Sequence, residues 1–177
     1  VLVDISLSAP HFGEGLLLYD MARCTMTAME MTTHSLEETY AFAEHYVKSL
    51  ERVQGAATVL GLSGELGSGK TVFAKGVAKA LGVLETVTSP TFVIEKIYRL
   101  EGQLFDRLVH IDAYRLEDGE ELKQLGFTEL LSDERNLIVV EWPERVSGIL
   151  PTTITTVSFV FIDDFTRTIR IGNGKSI

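Results

Sequence analysis

The chain has 177 residues, of which 45% are hydrophobic and 23% charged, with a formal net charge of −9. A chain of that size supports one domain that buries about 70% of the surface exposed on unfolding, and the composition is that of a globular protein, not a disordered one. The acidic balance argues against extensive direct binding of RNA or DNA, which needs Lys and Arg laid along phosphates.

Residues 1–30 read differently from the rest and are expected to form an accessory, tag-derived or poorly ordered leader. Leu2, Val3, Ile5 and Leu7 hint at a short strand within it. No basic residue precedes Arg23, which argues against a secretory signal or a transit peptide. Cys24 is the only cysteine, so an internal disulfide and a thiolate metal cluster are both excluded, in keeping with a reducing cytoplasm. No apolar run approaches the ~20 residues of a membrane span.

Ser35-Leu36-Glu37-Glu38 is a capping box. Leu36, Tyr40, Ala43, Val47 and Leu50 then recur at spacings of three and four, which predicts a helix to about Val53. Ala57 to Leu62 reads as a buried strand, and Thr71 to Leu81 as a helix stopped by Gly82. Pro90 fixes a turn, with an extended stretch expected from Thr91 to Tyr98. Leu108 to Asp112 and Leu137 to Val140 are apolar strands, each running into an acid. Between them lie two short helices broken at Gly126. Residues 153–162 and 165–171 flank Asp163-Asp164 and predict a terminal hairpin. Helices interleaved with buried strands give a three-layer α/β domain with a central, mostly parallel sheet, spanning residues 31–177.

The chemistry lies between the first strand and its helix. Gly64-Glu65-Leu66-Gly67-Ser68-Gly69-Lys70-Thr71 is a Walker A motif in the strand–turn–helix context that gives it meaning. Phosphates need several N–H donors converging on one point, and glycines let the backbone curl that tightly. The opening turn of the helix, through Val72, adds free N–H groups and the positive end of its dipole. Lys70 is placed to reach the outer phosphates, and Thr71 to offer its hydroxyl to Mg²⁺. Such a site also needs an acid at the end of a neighbouring strand. Both Glu141 and Asp112 meet that requirement. The guanine-specific Asn-Lys-x-Asp signature is absent, which favours ATP/ADP.

Five segments in order, GELGSGKT (64–71), SPTF (89–92), HIDAYRLED (110–118), EELKQLGFTEL (120–130) and VVEWPERV (139–146), make residues 35–171 resemble the TsaE (YjeE) family. These are bacterial P-loop ATPases needed to make threonylcarbamoyladenosine in tRNA. The resemblance implies that Lys70 and Thr71 bind phosphate and Mg²⁺, and that Glu141 completes the metal site. It also implies that Asp112 orients the attacking water or meets the metal through water. Ser89, Pro90 and Thr91 would form a switch-like loop beside the γ-phosphate. Trp142 would report nucleotide binding, Arg115 is raised as a partner or phosphate contact, and adenine is expected near His34 to Thr39. Glu65 stands where the family commonly has Asp, and residues 1–30 have no counterpart. His110 reads as structural. The partners implied are TsaB and TsaD, with tRNA met only indirectly and no membrane. A small-molecule kinase, or a nucleotide switch with negligible turnover, is the alternative the residues leave open.

Overall fold

The structure is a computed structural model, and it describes Val3–Asp4 and residues 28–173. Most of the expected leader therefore lies outside the described residues. Val3–Asp4 (β1) runs parallel to Ala28–Thr33 (β2), the strand that brings the chain into the domain.

Helix α1 (Leu36–Lys48) begins as its capping box dictates. Glu38 N–H donates to Ser35 Oγ at 3.1 Å, while the Glu38 carboxylate reaches back to accept from His34 N–H at 2.7 Å. The helix is shorter than its periodicity suggests. Ser49 caps it by donating its hydroxyl to Tyr46 O at 2.7 Å, so Leu50 to Val53 leave the helix. The buried face is also rotated from the expected one. Thr39, Phe42, Ala43, Tyr46 and Val47 are buried, whereas Leu36 is largely exposed.

Strand β3 (Thr58–Gly64) leads through the glycine-rich turn into α2 (Lys70–Ala80). Gly76 sits in the interior of α2, where glycine costs about 0.5–1 kcal/mol relative to alanine. The reason is contact: a Cβ there would lie 2.7 Å from the Ala43 Cβ, so Gly76 lets α1 and α2 cross closely. Phe73 of α2 then packs against Phe42, Tyr46 and Phe159 and fixes the crossing.

After Pro90 the chain is not extended at once. Val93 and Ile94 N–H groups fold back onto Pro90 O, Ile94 takes a left-handed φ of +67°, and only then does β4 (Glu95–Arg99) begin. The turn at Pro90 is thus wider than expected and delays the strand. β5 (Arg107–Asp112), α3 (Glu120–Gln124), α4 (Phe127–Leu131) and β6 (Asn136–Glu141) follow, with Gly126 at φ +86° separating the two helices. A 3₁₀ segment (Pro143–Ile149) leads to the hairpin of β7 (Thr155–Phe161) and β8 (Arg167–Asn173).

The eight strands form one sheet in the order β1-β2-β8-β7-β3-β6-β5-β4. Its centre, β7-β3-β6-β5, is parallel, and β8 and β4 flank it antiparallel. One apolar cluster, including Phe73, Val77, Leu60 and Leu62, joins the sheet to α1 and α2. A second, including Leu122, Phe127, Val140 and Val146, joins the opposite face to α3, α4 and the 3₁₀ segment. The result is the expected three-layer P-loop-type α/β domain. It brings the carboxyl ends of β3, β6 and β5 together, the edge where ligands bind in such sheets. No helix among the described residues is long and apolar enough to cross a membrane.

Candidate nucleotide site

The turn between β3 and α2 bends through three left-handed glycines, Gly64 (φ +142°), Gly67 (φ +80°) and Gly69 (φ +108°). Gly64 is the most constrained of them. A Cβ at that position would stand 2.5 Å from the Phe159 carbonyl oxygen of the adjoining strand β7. Gly64→Ala is therefore expected to lower stability by about 2–4 kcal/mol, read as a fall in the urea midpoint at constant m.

Gly69 caps α2 without a side-chain bond, and Phe73 N–H to Gly69 O at 3.0 Å is the helix's first backbone bond. The N–H groups of Lys70, Thr71 and Val72 have no carbonyl one turn back within the helix and are available to an anion. Glu65, Leu66 and Gly67 are exposed on the crest of the turn, and Ser68 is buried beneath it.

Lys70 is 4% exposed. Its Nζ donates to Gly64 O at 2.8 Å and Glu65 O at 2.7 Å and lies 3.9 Å from the centroid of the Trp142 ring. Burial pushes the Lys70 ammonium below the usual lysine range, and the carboxylates of Glu141, Glu144 and Asp112 pull in the opposite direction. Trp142 holds its place through a left-handed backbone (φ +59°) and a tilted contact with Tyr114 at 5.2 Å. Its N–H continues the β3–β6 ladder onto Leu62 O at 3.1 Å.

Glu141, 2% exposed, is held from both sides. Thr71 Oγ1 donates to its Oε2 at 2.7 Å, and His110 Nε2 meets its Oε1 at 2.8 Å. His110 Nδ1 is buried without a partner among the described residues. A histidine donating through Nε2 leaves Nδ1 as a bare acceptor, so the ring acts as a clamp on the carboxylate. Glu141 stands in direct register with Asp112 of the neighbouring strand. Asp112 Oδ2 accepts from Ser89 Oγ at 2.7 Å and from the Thr91 hydroxyl, and its Oδ1 accepts from Tyr114 N–H at 3.0 Å. The loop around Pro90 is thereby tied to the end of β5.

The cleft measures about 180 Å³ and is lined by Leu66, Gly67, Gly69, Lys70, Thr71, Val72, Glu141 and Trp142. Drug-sized ligands occupy clefts of roughly 300–1,000 Å³, so this space has room for a phosphate-sized group and not for a whole drug-sized ligand. The oxygen-only pair Thr71 and Glu141 suits Mg²⁺, which takes one or two protein oxygens beside phosphate and water. Two features escaped the sequence reading. One is the bond from His110 to Glu141. The other is Arg167, which lies against Gly69 and was signalled only by its inward-facing parity in β8. Arg115 is exposed and lies 4.3 Å from the ring of Phe92, away from the cleft lining.

The profile described as "Threonylcarbamoyl adenosine biosynthesis protein TsaE" matches residues 33–169. The chain belongs to the TsaE family. Among its relatives is the tRNA threonylcarbamoyladenosine biosynthesis protein TsaE of Treponema pallidum. It is 35% identical over 143 residues, covering 81% of this chain and 99% of that protein. The protein of the same name from Rickettsia bellii is 34% identical over 141 residues, 79% of this chain and 92% of that one. The one from Streptomyces coelicolor is 45% identical over 98 residues, 55% and 64%. The crystal structure of Bacillus subtilus YdiB superposes with a TM-score of 0.67 at 28% identity, over 86% of this chain and 89% of that one. The TsaE match runs from Thr33, the last residue of β2, to Ile169 within β8, so it includes α1, β7 and the start of β8.

Proposed function

We propose that this TsaE-family chain is a cytoplasmic, Mg²⁺-dependent ATPase whose slow hydrolysis of ATP supports the TsaB–TsaD machinery forming threonylcarbamoyladenosine in tRNA. The observation that carries the reading is the bond between Thr71 of the cradle and Glu141, with Asp112 in register beside it. A bare phosphate-binding turn needs neither acid.

Phosphoryl transfer asks for positioning and charge stabilisation more than covalent help. Gly64 to Thr71 and the first turn of α2 hold the phosphates by backbone N–H groups. Lys70 carries the charge that balances the outer phosphates as the bond to the leaving oxygen lengthens. Thr71 and Glu141 would hold Mg²⁺, which supplies charge neutralisation between the phosphates. Asp112 accepts on Oδ2 from Ser89 and Thr91 of the Pro90 loop and on Oδ1 from Tyr114 N–H, and this leaves it oriented to direct a water. Ser89 and Thr91 are the switch-like contacts, because a shift of their loop removes two donors from Asp112.

The test is phosphate release from Mg·ATP, with and without the TsaB–TsaD homologues. Turnover alone is expected on the order of 10⁻⁴ to 10⁻² per second, as for P-loop proteins lacking a full set of charge donors, and the pair should raise it. Asp112→Asn is expected to lower the stimulated rate by about 10²-fold while the Kd for ADP stays within a few-fold. Label passing from ATP to an organic acceptor would point to a kinase. Release that neither Asp112→Asn nor Glu141→Gln changes, even with the partners present, would leave only a nucleotide switch.

A further inference from the structure

His110 is a buried ring with a single polar partner among the described residues. It is 1% exposed, its Nε2 meets Glu141 Oε1 at 2.8 Å, and its Nδ1 has no partner. Its neighbours on the same face of the sheet are buried and apolar: Leu108 two residues earlier on β5, and Val139 opposite it on β6. Leaving a ring nitrogen unpaired in that setting costs free energy. A side chain kept there for packing alone would be apolar like those neighbours, so the bond to Glu141 is what the imidazole adds.

That bond has a mechanical consequence. The last torsion of a glutamate is broad, so a carboxylate held through one oxygen can swing. Thr71 Oγ1 holds Oε2 at 2.7 Å, and His110 holds the other oxygen from a different strand. The parallel ladder that sets Asp112 opposite Glu141 also fixes where the ring stands. The helix of the cradle, β6 and β5 are thus joined in one chain of bonds, Thr71 to Glu141 to His110. His110 does not line the cleft.

We infer that His110 is a positioning residue for Mg²⁺, an inference that rests on the metal-site reading above: its Nε2–H keeps the Glu141 carboxylate in the orientation that meets Thr71, the other oxygen donor of the proposed pair. The ring is not itself a ligand, since Nε2 is spent on Glu141 and Mg²⁺ takes oxygen. Groups that orient a ligating carboxylate without touching the metal are worth about 10- to 100-fold in metal affinity. His110 therefore acts on Mg²⁺ dependence and leaves the backbone contacts of the cradle to bind nucleotide unaided.

The experiment compares the full chain with His110→Leu, His110→Asn and His110→Gln, measuring the Kd for ADP by calorimetry in EDTA and across a Mg²⁺ series. The glutamine amide nitrogen falls near the place of Nε2, whereas that of asparagine falls near Nδ1, which faces no partner. The Mg²⁺ midpoint is expected to rise about 10- to 100-fold in His110→Leu and His110→Asn, with the Kd in EDTA within about twofold of wild type. His110→Gln should bring the midpoint back to within about threefold. On a Glu141→Gln background His110→Leu should add less than about twofold, because both act through one contact. A full additive shift there overturns the inference. So does a wild-type midpoint in His110→Leu, the result for a ring that only fills space. Equal shifts in all three variants overturn it too, since the donor would not matter, as does a Kd in EDTA that moves as far as the midpoint. If His110→Leu does not fold, a wild-type midpoint in His110→Asn or a shifted one in His110→Gln overturns it. Wild-type ADP binding that ignores Mg²⁺ overturns the metal-site reading and this one with it. A normal wild-type response with indifferent variants overturns the role of His110 alone.

Discussion

Lys70→Ala should lower ATP turnover at least about 100-fold, the usual consequence of removing a single preorganised charge donor from a water-excluded site. The geometry explains why no neighbour can substitute. Lys70 is the cation of the cleft lining, packed under the Trp142 ring and held by two carbonyls of its own loop. On the proposed reading those two carbonyl bonds would exchange for phosphate bonds. Arginine would not rescue, because a planar fork does not fit a space shaped around a compact ammonium. Nucleotide affinity should fall less than turnover, since the N–H groups of the loop remain. A second readout is available in the protein alone. Trp142 is the only tryptophan, and removing the cation 3.9 Å from its ring should shift its emission before any nucleotide is added. Turnover within threefold of wild type would show that Lys70 does not act on the reacting phosphate.

The parts of this site that were legible in the sequence are those that local chemistry dictates. Gly64, Gly67 and Gly69 are needed because the turn requires left-handed backbone, and Lys70 and Thr71 follow from the helix that opens there. Asp112 and Glu141 were visible as acids ending apolar runs, and the parallel register sets them side by side. What periodicity misjudged was decided by packing between distant elements. Leu36 looked like a core residue, but α1 turns Thr39 inward, where its hydroxyl bonds Thr33 and receives Arg167. Trp142 takes a left-handed backbone that its own residue type disfavours, and it is held there by the bond from its N–H to Leu62 O and the contacts with Tyr114 and Lys70. His110 reads as a strand residue until β5 and β6 are paired, when its ring meets Glu141 across the strands. Ser89 and Thr91 are 23 and 21 residues from the aspartate they bond, a distance no local pattern reports.

Glu141 is both a candidate metal ligand and a structural anion, and two substitutions separate those roles. Glu141→Ala leaves Thr71 Oγ1 and the buried His110 Nε2 without their acceptor, at about 1–3 kcal/mol for the histidine stranded in the interior. It should therefore unfold at markedly lower urea, and its lost activity would be ambiguous. Glu141→Gln keeps the shape. Its carbonyl oxygen can accept from either neighbour, so stability should fall by only about 1 kcal/mol. What the amide cannot do is balance a divalent cation. Phosphate release by Glu141→Gln is expected to drop about 10²- to 10³-fold, a loss of the size seen when transition-state charge is left unbalanced. The Mg²⁺ concentration for half-activation should rise, and ADP binding without Mg²⁺ should stay close to wild type. Thr71→Val shares the Mg²⁺ phenotype in milder form, because its hydroxyl is the other protein oxygen of the pair. If Glu141→Gln folds normally and keeps the wild-type Mg²⁺ dependence, the carboxylate belongs to the clamp with His110 and not to the metal. Asp112, in register beside it, would then be the acid the metal needs.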